Sequence, residues 1–213
     1  MLLHADALYL MRHAETLGTQ TRKFMSNNSS NSHICEKGKC DIALFNNNID
    51  KYHFDCVIVC CNIPRVLETA EEFKKLYPNL KYVYDDRFRG IDNSGWEGKG
   101  LKDLTNEDLE DYKEREIKRN IFAKSVHGSS WGEVLLNSID LINHINRYYE
   151  NQRLLLISQG SIFQGIKLLT HATTVPWEDY DSKKMFNFDS RQKISYYGRI
   201  VCLYDNSKYI SED

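Results

Sequence analysis

The chain lacks the marks of a membrane, secreted or nucleic-acid-binding protein. No apolar run approaches the roughly 18 residues that a membrane span requires. Residues 1–11 have no basic region and run directly into a strand-like stretch, unlike a secretory signal. The formal net charge is -2, which gives no general attraction to nucleic acid or to an anionic membrane. We therefore predict a cytoplasmic protein in which anion binding depends on a few placed cations.

Cysteine and proline usage narrows the class of protein further. The six cysteines are scattered or adjacent and include no C-x-x-C pair, which fits reduced thiols better than a disulfide framework or a zinc site. Proline is scarce, with three residues, and no repeat or linker-like segment divides the 213 residues. We predict a single domain over residues 1–213, with no metal and no cofactor.

A short apolar stretch that ends in charged residues opens the chain. Residues 8–16 read LYLMRHAET, so strand-forming residues are followed at once by Arg12 and His13. In an open α/β sheet, ligands bind just outside the carboxyl ends of the strands. A guanidinium and an imidazole at that point predict an anion site that contains a nucleophile or an acid–base group.

Strand-like and helix-like segments alternate along the rest of the chain. Residues 54–61 and 154–157 are nearly continuous apolar runs of strand length, typical of strands covered on both faces. A helix-like segment with one apolar stripe follows each of them, and the first of these begins at Pro64. This alternation predicts an α/β fold, a three-layer α/β/α sandwich with a mainly parallel central sheet.

Two long polar segments separate these elements. Residues 17–39 are rich in turn-forming residues, and we expect a mobile polar loop near the first strand end. Within it, residues 26–32 are not expected to contribute to the core, and a solvated insertion without a role is an equal alternative. Residues 85–130, here termed the cap segment, form a glycine-rich and charged excursion. The charged run over 102–118 is expected to be a solvated helix.

Polar groups follow three of the predicted strands. Arg12 and His13 follow the first strand, Arg65 follows the second, and Gln159 and Gly160 follow the late strand at a helix start. Since the carboxyl ends of parallel strands lie at one edge of a sheet, we expect these groups to converge. Two arginines and a helix N-terminus suit a phosphate group. An imidazole among them can attack phosphorus and carry the phosphoryl group as phosphohistidine.

These motifs, taken in order, resemble the signatures of the histidine phosphatase superfamily, which includes the phosphoglycerate mutases. The matching segments are residues 8–16, 36–38, 54–70, 95–98, 132–133 and 156–160. The resemblance implies a phosphoglycerate mutase-like fold and a phosphatase or phosphotransferase with His13 as nucleophile. Arg12, Arg65 and Gln159 would hold the phosphoryl group. The substrate-binding candidates are Glu15, Thr16, Asp92, Glu133 and Gly160.

Three positions depart from the family pattern, and the mildest is Ala14, which stands where glycine is usual. Gln159 stands where a second pocket histidine is expected, and an amide brings no positive charge. Losing such a charge-assisted contact costs about two to three decades in rate. Gly90 stands close to the usual position of a glutamate general acid, whose loss matters most for a poor leaving group. Asp92 and Glu97 are carboxylates that could take the place of this general acid. For Glu133, a favourable negative charge in the first turn of a helix is as good an explanation as a role in the pocket.

Three functions are compatible with the sequence. The first is a phosphatase that acts on a small phosphorylated metabolite through a phosphohistidine at His13. The second is a divergent member that binds a phosphorylated or carboxylate ligand without turnover. The third is a repurposed enzyme of a specialised biosynthetic pathway that uses the same pocket. The oligomeric state is also open, with a homodimer as one option, and neither nucleic acid nor a membrane is an expected partner.

Overall fold

Five strands form the central sheet in the part of the chain that the computed structural model describes, namely residues 2–27, 32–118, 120–171 and 197–205. The strands are β1 (Ala7–Arg12), β2 (Cys56–Val59), β3 (Tyr82–Tyr84), β4 (Arg153–Ser158) and β5 (Ile200–Asp205). Their order in the sheet is β3-β2-β4-β1-β5. All neighbouring strands are parallel except β5, which runs antiparallel to β1. The prediction of a mainly parallel sheet is therefore confirmed.

Helices cover both faces of this sheet. The α-helices of the described residues are α1 (Leu17–Gln20), α2 (Glu36–Phe45), α3 (Pro64–Leu76), α4 (Asn106–Tyr112), α5 (Trp131–Tyr148) and α6 (Gly160–His171). Buried side chains of α2 and α3 pack on one face, and those of α5 and α6 pack on the other. This is the predicted three-layer sandwich. Throughout the described ranges, each helix is too short or too polar to cross a membrane.

Strand β1 shows why both faces need cover. Tyr9 and Met11 belong to the buried cluster that includes Phe73 of α3, while Leu8 and Leu10 belong to the cluster on the α5 and α6 side. Successive side chains of a strand point to opposite faces, so an uninterrupted apolar strand must be packed on both. The same reasoning applies to β2 and β4, whose side chains are almost all buried.

The antiparallel edge strand β5 is held by hydrogen bonds near the amino end of β1, at the opposite end of the sheet from Arg12 and His13. Asp205 of β5 accepts a hydrogen bond from Arg153 at 2.9 Å and another from the Tyr9 hydroxyl. Burial first, and then the contact with Asp205, raises the pKa of Tyr9. The sequence predicts a further strand-like piece that begins at residue 193. Residues 193–196 lie outside the described residues.

Both polar segments contain regular structure. Helix α1, which is capped by Thr16, and the first turn of α2 fall within residues 17–39, and residues 28–31 lie outside the described ones. In the cap segment, α4 continues into a π-helical turn over Lys113–Ile117. The predicted helix over 102–118 is therefore confirmed only in part.

Candidate active site

The carboxyl ends of β1 and β4 lie side by side at one edge of the sheet. Arg12 is the partner of Ser158 in the parallel ladder, and the backbone N–H of His13 donates to the carbonyl oxygen of Ser158 at 2.9 Å. Gln159 and the start of α6 come directly after Ser158. The structure thus brings the first and the late strand ends together, as a parallel sheet requires.

His13 is buried and oriented by one backbone contact. Its Nδ1 lies 2.9 Å from the carbonyl oxygen of Ala14, so the fitting tautomer carries its proton on Nδ1 and leaves a lone pair on Nε2. Burial, and next the positive charges of Arg65 and Arg12, hold the pKa of His13 well below its usual value of 6.5. The ring is therefore neutral at pH 7, which is the state in which an imidazole nitrogen can attack phosphorus.

Arg65 lies in the first turn of α3, directly after Pro64, and its side chain is buried. Nη1 donates to the carbonyl oxygen of Ser26 at 3.2 Å and to the hydroxyl of Ser32. Nη2 donates to Oδ1 of Asn27 at 3.3 Å. All three acceptors are neutral, so they fix the guanidinium without cancelling the charge that attracts an anion.

Arg12 lies between an aromatic ring and the start of α6. Its Cζ is 4.1 Å from the centre of the Tyr197 ring, and the ring centres of His13 and Tyr197 are 5.6 Å apart. A β-carbon on Gly160 would lie 3.3 Å from Nε of Arg12, so a glycine at this position lets the guanidinium approach the helix start closely. Burial lowers the pKa of Arg12, but a guanidinium stays charged at physiological pH.

Gln159 contributes its side-chain amide to the site. The residue is 4% exposed, and its Nε2 has no acceptor among the described residues. It lies next to Cys61, and burial raises the pKa of that thiol to about 11. Cys61 is therefore a protonated thiol at pH 7, and Gln159 supplies a hydrogen-bond donor without a charge.

A cavity of about 400 Å³ opens over these groups, with Arg12, His13, Arg65, Gln159 and Gly160 in its wall. Nε of each arginine and Nε2 of the glutamine are buried donors without an acceptor in the described part of the chain. Buried donors need acceptors, and the oxygens of a phosphoryl group supply them. No group of three or more metal-ligating side chains occurs among the residues that the structure describes. The cavity is suited to hold a phosphoryl group next to a neutral imidazole.

The sequence as a whole settles the family. The model of the histidine phosphatase superfamily, branch 1, matches residues 8–199. The chain belongs to the histidine phosphatase superfamily. No curated protein matches its sequence.

Solved structures share the fold of this chain at low sequence identity. A mutant phosphoserine phosphatase from Entamoeba histolytica, in complex with phosphoserine, is 16% identical with a TM-score of 0.68, and the match covers 94% of this chain and 96% of that one. YhfR from Bacillus stearothermophilus is 19% identical with a TM-score of 0.65 and the same two coverages, 94% and 96%. The alpha-ribazole phosphatase from Shigella flexneri is 20% identical with a TM-score of 0.65, covering 85% of this chain and 84% of that one.

Two predicted substrate-binding residues shape the turn after β1 and do not line the cavity. The hydroxyl of Thr16 accepts from the backbone N–H of Thr19 at 3.1 Å and so caps α1. The carboxylate of Glu15 lies 3.2 Å from Nζ of Lys37, the second residue of α2. Both side chains are engaged in fixing the polar loop that follows His13.

Two further substrate-binding candidates, Asp92 and Glu133, are not among the residues that line the cavity. The carboxylate of Asp92 accepts from the backbone N–H of Asn27 at 3.2 Å and from the hydroxyl of Ser94 at 2.9 Å. Glu133 accepts from the backbone N–H of Ser130 at 2.6 Å in a capping box at the start of α5. Glu133 thus occupies the helix-capping position that the sequence analysis gives as its alternative role.

The sequence reasoning missed one arginine in the cavity wall. Arg115 belongs to the charged run that was expected to be solvated, yet it is 2% exposed. Its Cζ lies 4.4 Å from the centre of the Trp96 ring, which packs in turn against Tyr112. The prediction of a solvated face is wrong at this position. Nothing in the local charge pattern could reveal it, because the covering ring comes from another part of the cap segment.

The polar loop supplies a second correction. Ser26, Asn27 and Ser32 are all buried, although residues 26–32 were not expected to contribute to the core. They are buried because they accept hydrogen bonds from Arg65, and these bonds satisfy both the guanidinium donors and the polar groups of the loop. The loop therefore has a structural role beside the site, and the alternative of an insertion without a role is wrong for these residues.

Proposed function

We propose that this histidine phosphatase hydrolyses a small phosphorylated metabolite through a phosphohistidine at His13. The observation that carries the proposal is the state of His13, which is buried, neutral and hydrogen-bonded through Nδ1, with Nε2 left as a nucleophile. Arg12 and Arg65 are buried in the wall of the same cavity. Together they provide a nucleophile and the positive charge that phosphoryl transfer requires.

In this reaction Nε2 of His13 attacks phosphorus, and the bond between phosphorus and the substrate's bridging oxygen breaks. The leaving oxygen takes up a proton, and the freed product departs. Water then attacks the phosphohistidine, loses a proton and releases inorganic phosphate, which restores the neutral imidazole. Arg12 and Arg65 balance the charge on the equatorial oxygens, and Gln159 donates a neutral hydrogen bond. The contact between Nδ1 and Ala14 keeps the reacting nitrogen in place through both steps.

Family membership supports this class of reaction. Solved structures with the same fold include a phosphoserine phosphatase and an alpha-ribazole phosphatase. Both names describe enzymes that act on small phosphorylated compounds, which supports an anionic metabolite as the ligand of this cavity.

A second candidate is a member that binds a phosphorylated or carboxylate ligand without turnover, or that uses the pocket in another reaction of a specialised pathway. Gly90 and Gln159 are the residues that favour it, because they stand where a general acid and a second histidine are expected from the family pattern. A reaction with a poor leaving group suffers most from these losses. The reaction rate of a substrate with an activated leaving group is affected least.

Turnover of an activated aryl phosphate separates the two candidates. Its leaving group needs little help from an acid, so the wild-type protein should release phenolate and phosphate, and His13→Ala should abolish the release. Gln159→His should raise the rate if the site is otherwise competent. Binding of inorganic phosphate without any turnover in the wild type or in Gln159→His would support the second candidate and overturn the first.

A further inference from the structure

The ring of Tyr197 lies against two residues of the candidate active site at once. Its centre is 4.1 Å from Cζ of Arg12 and 5.6 Å from the centre of the His13 ring. Tyr197 is not among the residues that line the cavity, so it contacts the site from behind the wall. It also stands well after the last of the sequence motifs, residues 156–160, and none of them includes it.

The turn that carries Tyr197 is anchored on two sides. The backbone N–H of Gly198 donates to the carbonyl oxygen of Arg12 at 3.0 Å. The carbonyl oxygen of Gly198 accepts from Nδ2 of Asn46, a buried residue directly after α2, at 2.7 Å. Gly198 has a φ of 67°, a left-handed conformation that glycine adopts without strain. The position of the Tyr197 ring is therefore fixed from the end of β1 and from the end of α2.

Arg12 depends on this ring more than Arg65 depends on any single contact. Three neutral acceptors fix the guanidinium of Arg65, whereas Nε of Arg12 has no acceptor in the described part of the chain. A planar guanidinium packs well on the face of an aromatic ring, and this contact uses none of its N–H groups. The ring can thus hold Arg12 in place and leave its donors for an anion.

The same ring covers the imidazole of His13. The residue is 3% exposed, and burial is the largest cause of its low pKa, followed by the charges of Arg65 and Arg12. A side chain that packs against the imidazole contributes to this burial. The contact therefore joins the orientation of Arg12 to the neutral state of His13.

We infer that Tyr197 is a positioning residue, whose ring holds the guanidinium of Arg12 and shields His13 from water. The ring performs both tasks, and the hydroxyl is needed for neither. This inference rests on the proposed function, because it takes Arg12 as a ligand of the phosphoryl group and His13 as the nucleophile.

Two substitutions at position 197 separate the ring from the hydroxyl. Tyr197→Phe keeps the ring and should bind inorganic phosphate as the wild type does. Tyr197→Ala removes the ring and should bind phosphate about threefold to tenfold more weakly, since the side chain of Arg12 then has to be ordered on binding. Calorimetry on the full chain measures both affinities.

Tyr148→Ala is the matched control. The ring of Tyr148 also lies against an arginine, with its centre 5.3 Å from Cζ of Arg147, but it is exposed and is not part of the cavity wall. This variant should bind phosphate with the wild-type affinity.

Magnetic resonance of His13 gives a readout that a general loss of stability would not produce. The signal is assigned by comparison with His13→Gln. The pKa of His13 should stay well below 6.5 in the wild type and in Tyr197→Phe, and it should rise towards 6.5 in Tyr197→Ala, because water reaches the imidazole. The wild type should also show nuclear Overhauser contacts between the Tyr197 ring and the side chain of Arg12.

The outcomes separate this inference from the proposed function. The positioning role is overturned if Tyr197→Ala keeps the wild-type phosphate affinity and His13 pKa, or if Tyr197→Phe or Tyr148→Ala loses as much affinity as Tyr197→Ala. Absence of the Overhauser contacts in the wild type overturns it too, even if Tyr197→Ala does not fold. The predicted effects in a protein that never forms phosphohistidine overturn the phosphatase and leave the role of Tyr197 in place.

Discussion

Gly90 and Gln159 are in direct contact. A β-carbon added to Gly90 would lie 2.8 Å from Oε1 of Gln159 and 2.2 Å from Oγ of Ser161. The hydroxyl of Ser161 is not free to move, because it accepts from the backbone N–H of Ile91 at 2.9 Å. Two of the three positions that depart from the family pattern therefore form one packed unit. Any side chain at position 90 has to displace groups on the cavity wall.

This contact predicts that Gly90→Ala lowers the free energy of unfolding by about 1–3 kcal/mol, since overpacking a closely filled site forces its neighbours to shift. Urea unfolding of the variant and the wild type measures the difference. Gly100→Ala is the control, because there the nearest atom is the mobile carboxylate of Asp103 at 3.0 Å, and a change below about 0.5 kcal/mol is expected. Equal stability of Gly90→Ala and wild type would contradict the contact.

The buried state of His13 predicts a pH-dependent stability. Its pKa is held well below 6.5 by burial and by Arg65 and Arg12, so the unfolded chain binds more protons at this residue than the folded protein does just below pH 6.5. The contribution to stability is complete above pH 6.5 and is lost as the pH falls below it. Between pH 7.5 and pH 5.5, the wild type should lose about 1.4 kcal/mol more than His13→Gln.

Urea unfolding at the two pH values measures this difference. His127→Gln, which removes an exposed histidine, is the control and should follow the wild type. If His13→Gln loses as much stability as the wild type, then His13 is protonated in the folded wild type. The assignment of His13 as a neutral nucleophile would then be wrong.

The hydrogen bonds to Arg65 predict that the polar loop affects phosphate affinity. Ser32→Ala and Asn27→Ala each remove one neutral acceptor that fixes the guanidinium, and each should weaken binding of inorganic phosphate about threefold to tenfold. Calorimetry measures the affinity. Thr21→Ala, which removes a hydroxyl bonded within α1, should bind phosphate as the wild type does. Unchanged affinity in both loop variants would show that Arg65 does not depend on the loop.

The sequence predicts those parts of the site that depend on local pattern and sheet topology. Arg12 ends β1, and His13 and Gln159 directly follow β1 and β4. Parallel strands end at the same edge of a sheet, so the meeting of these residues follows from the order of elements alone. Arg65 is predicted in the same way from the strand that precedes Pro64. The fold class is predicted for the same reason, since strands and helices alternate along the chain.

The remaining features depend on contacts between distant segments. Arg115 lies in a run that reads as solvated, and its burial comes from packing on Trp96. Ser32 and Asn27 read as turn residues, and their burial comes from Arg65, which lies more than thirty positions further along the chain. The contact of Gly90 with Gln159 also joins two remote loops. No hydrophobic period or local turn signal encodes such pairs.

Detection of a covalent intermediate tests the central claim most directly. The wild-type protein is mixed with an activated aryl phosphate and quenched in alkali within a turnover, and the peptide that contains His13 is analysed by mass spectrometry. A phosphoryl group that is stable to base, labile to acid and absent from His13→Ala is the predicted result. A wild-type protein that binds phosphate and never carries a phosphoryl group at His13 would contradict the account.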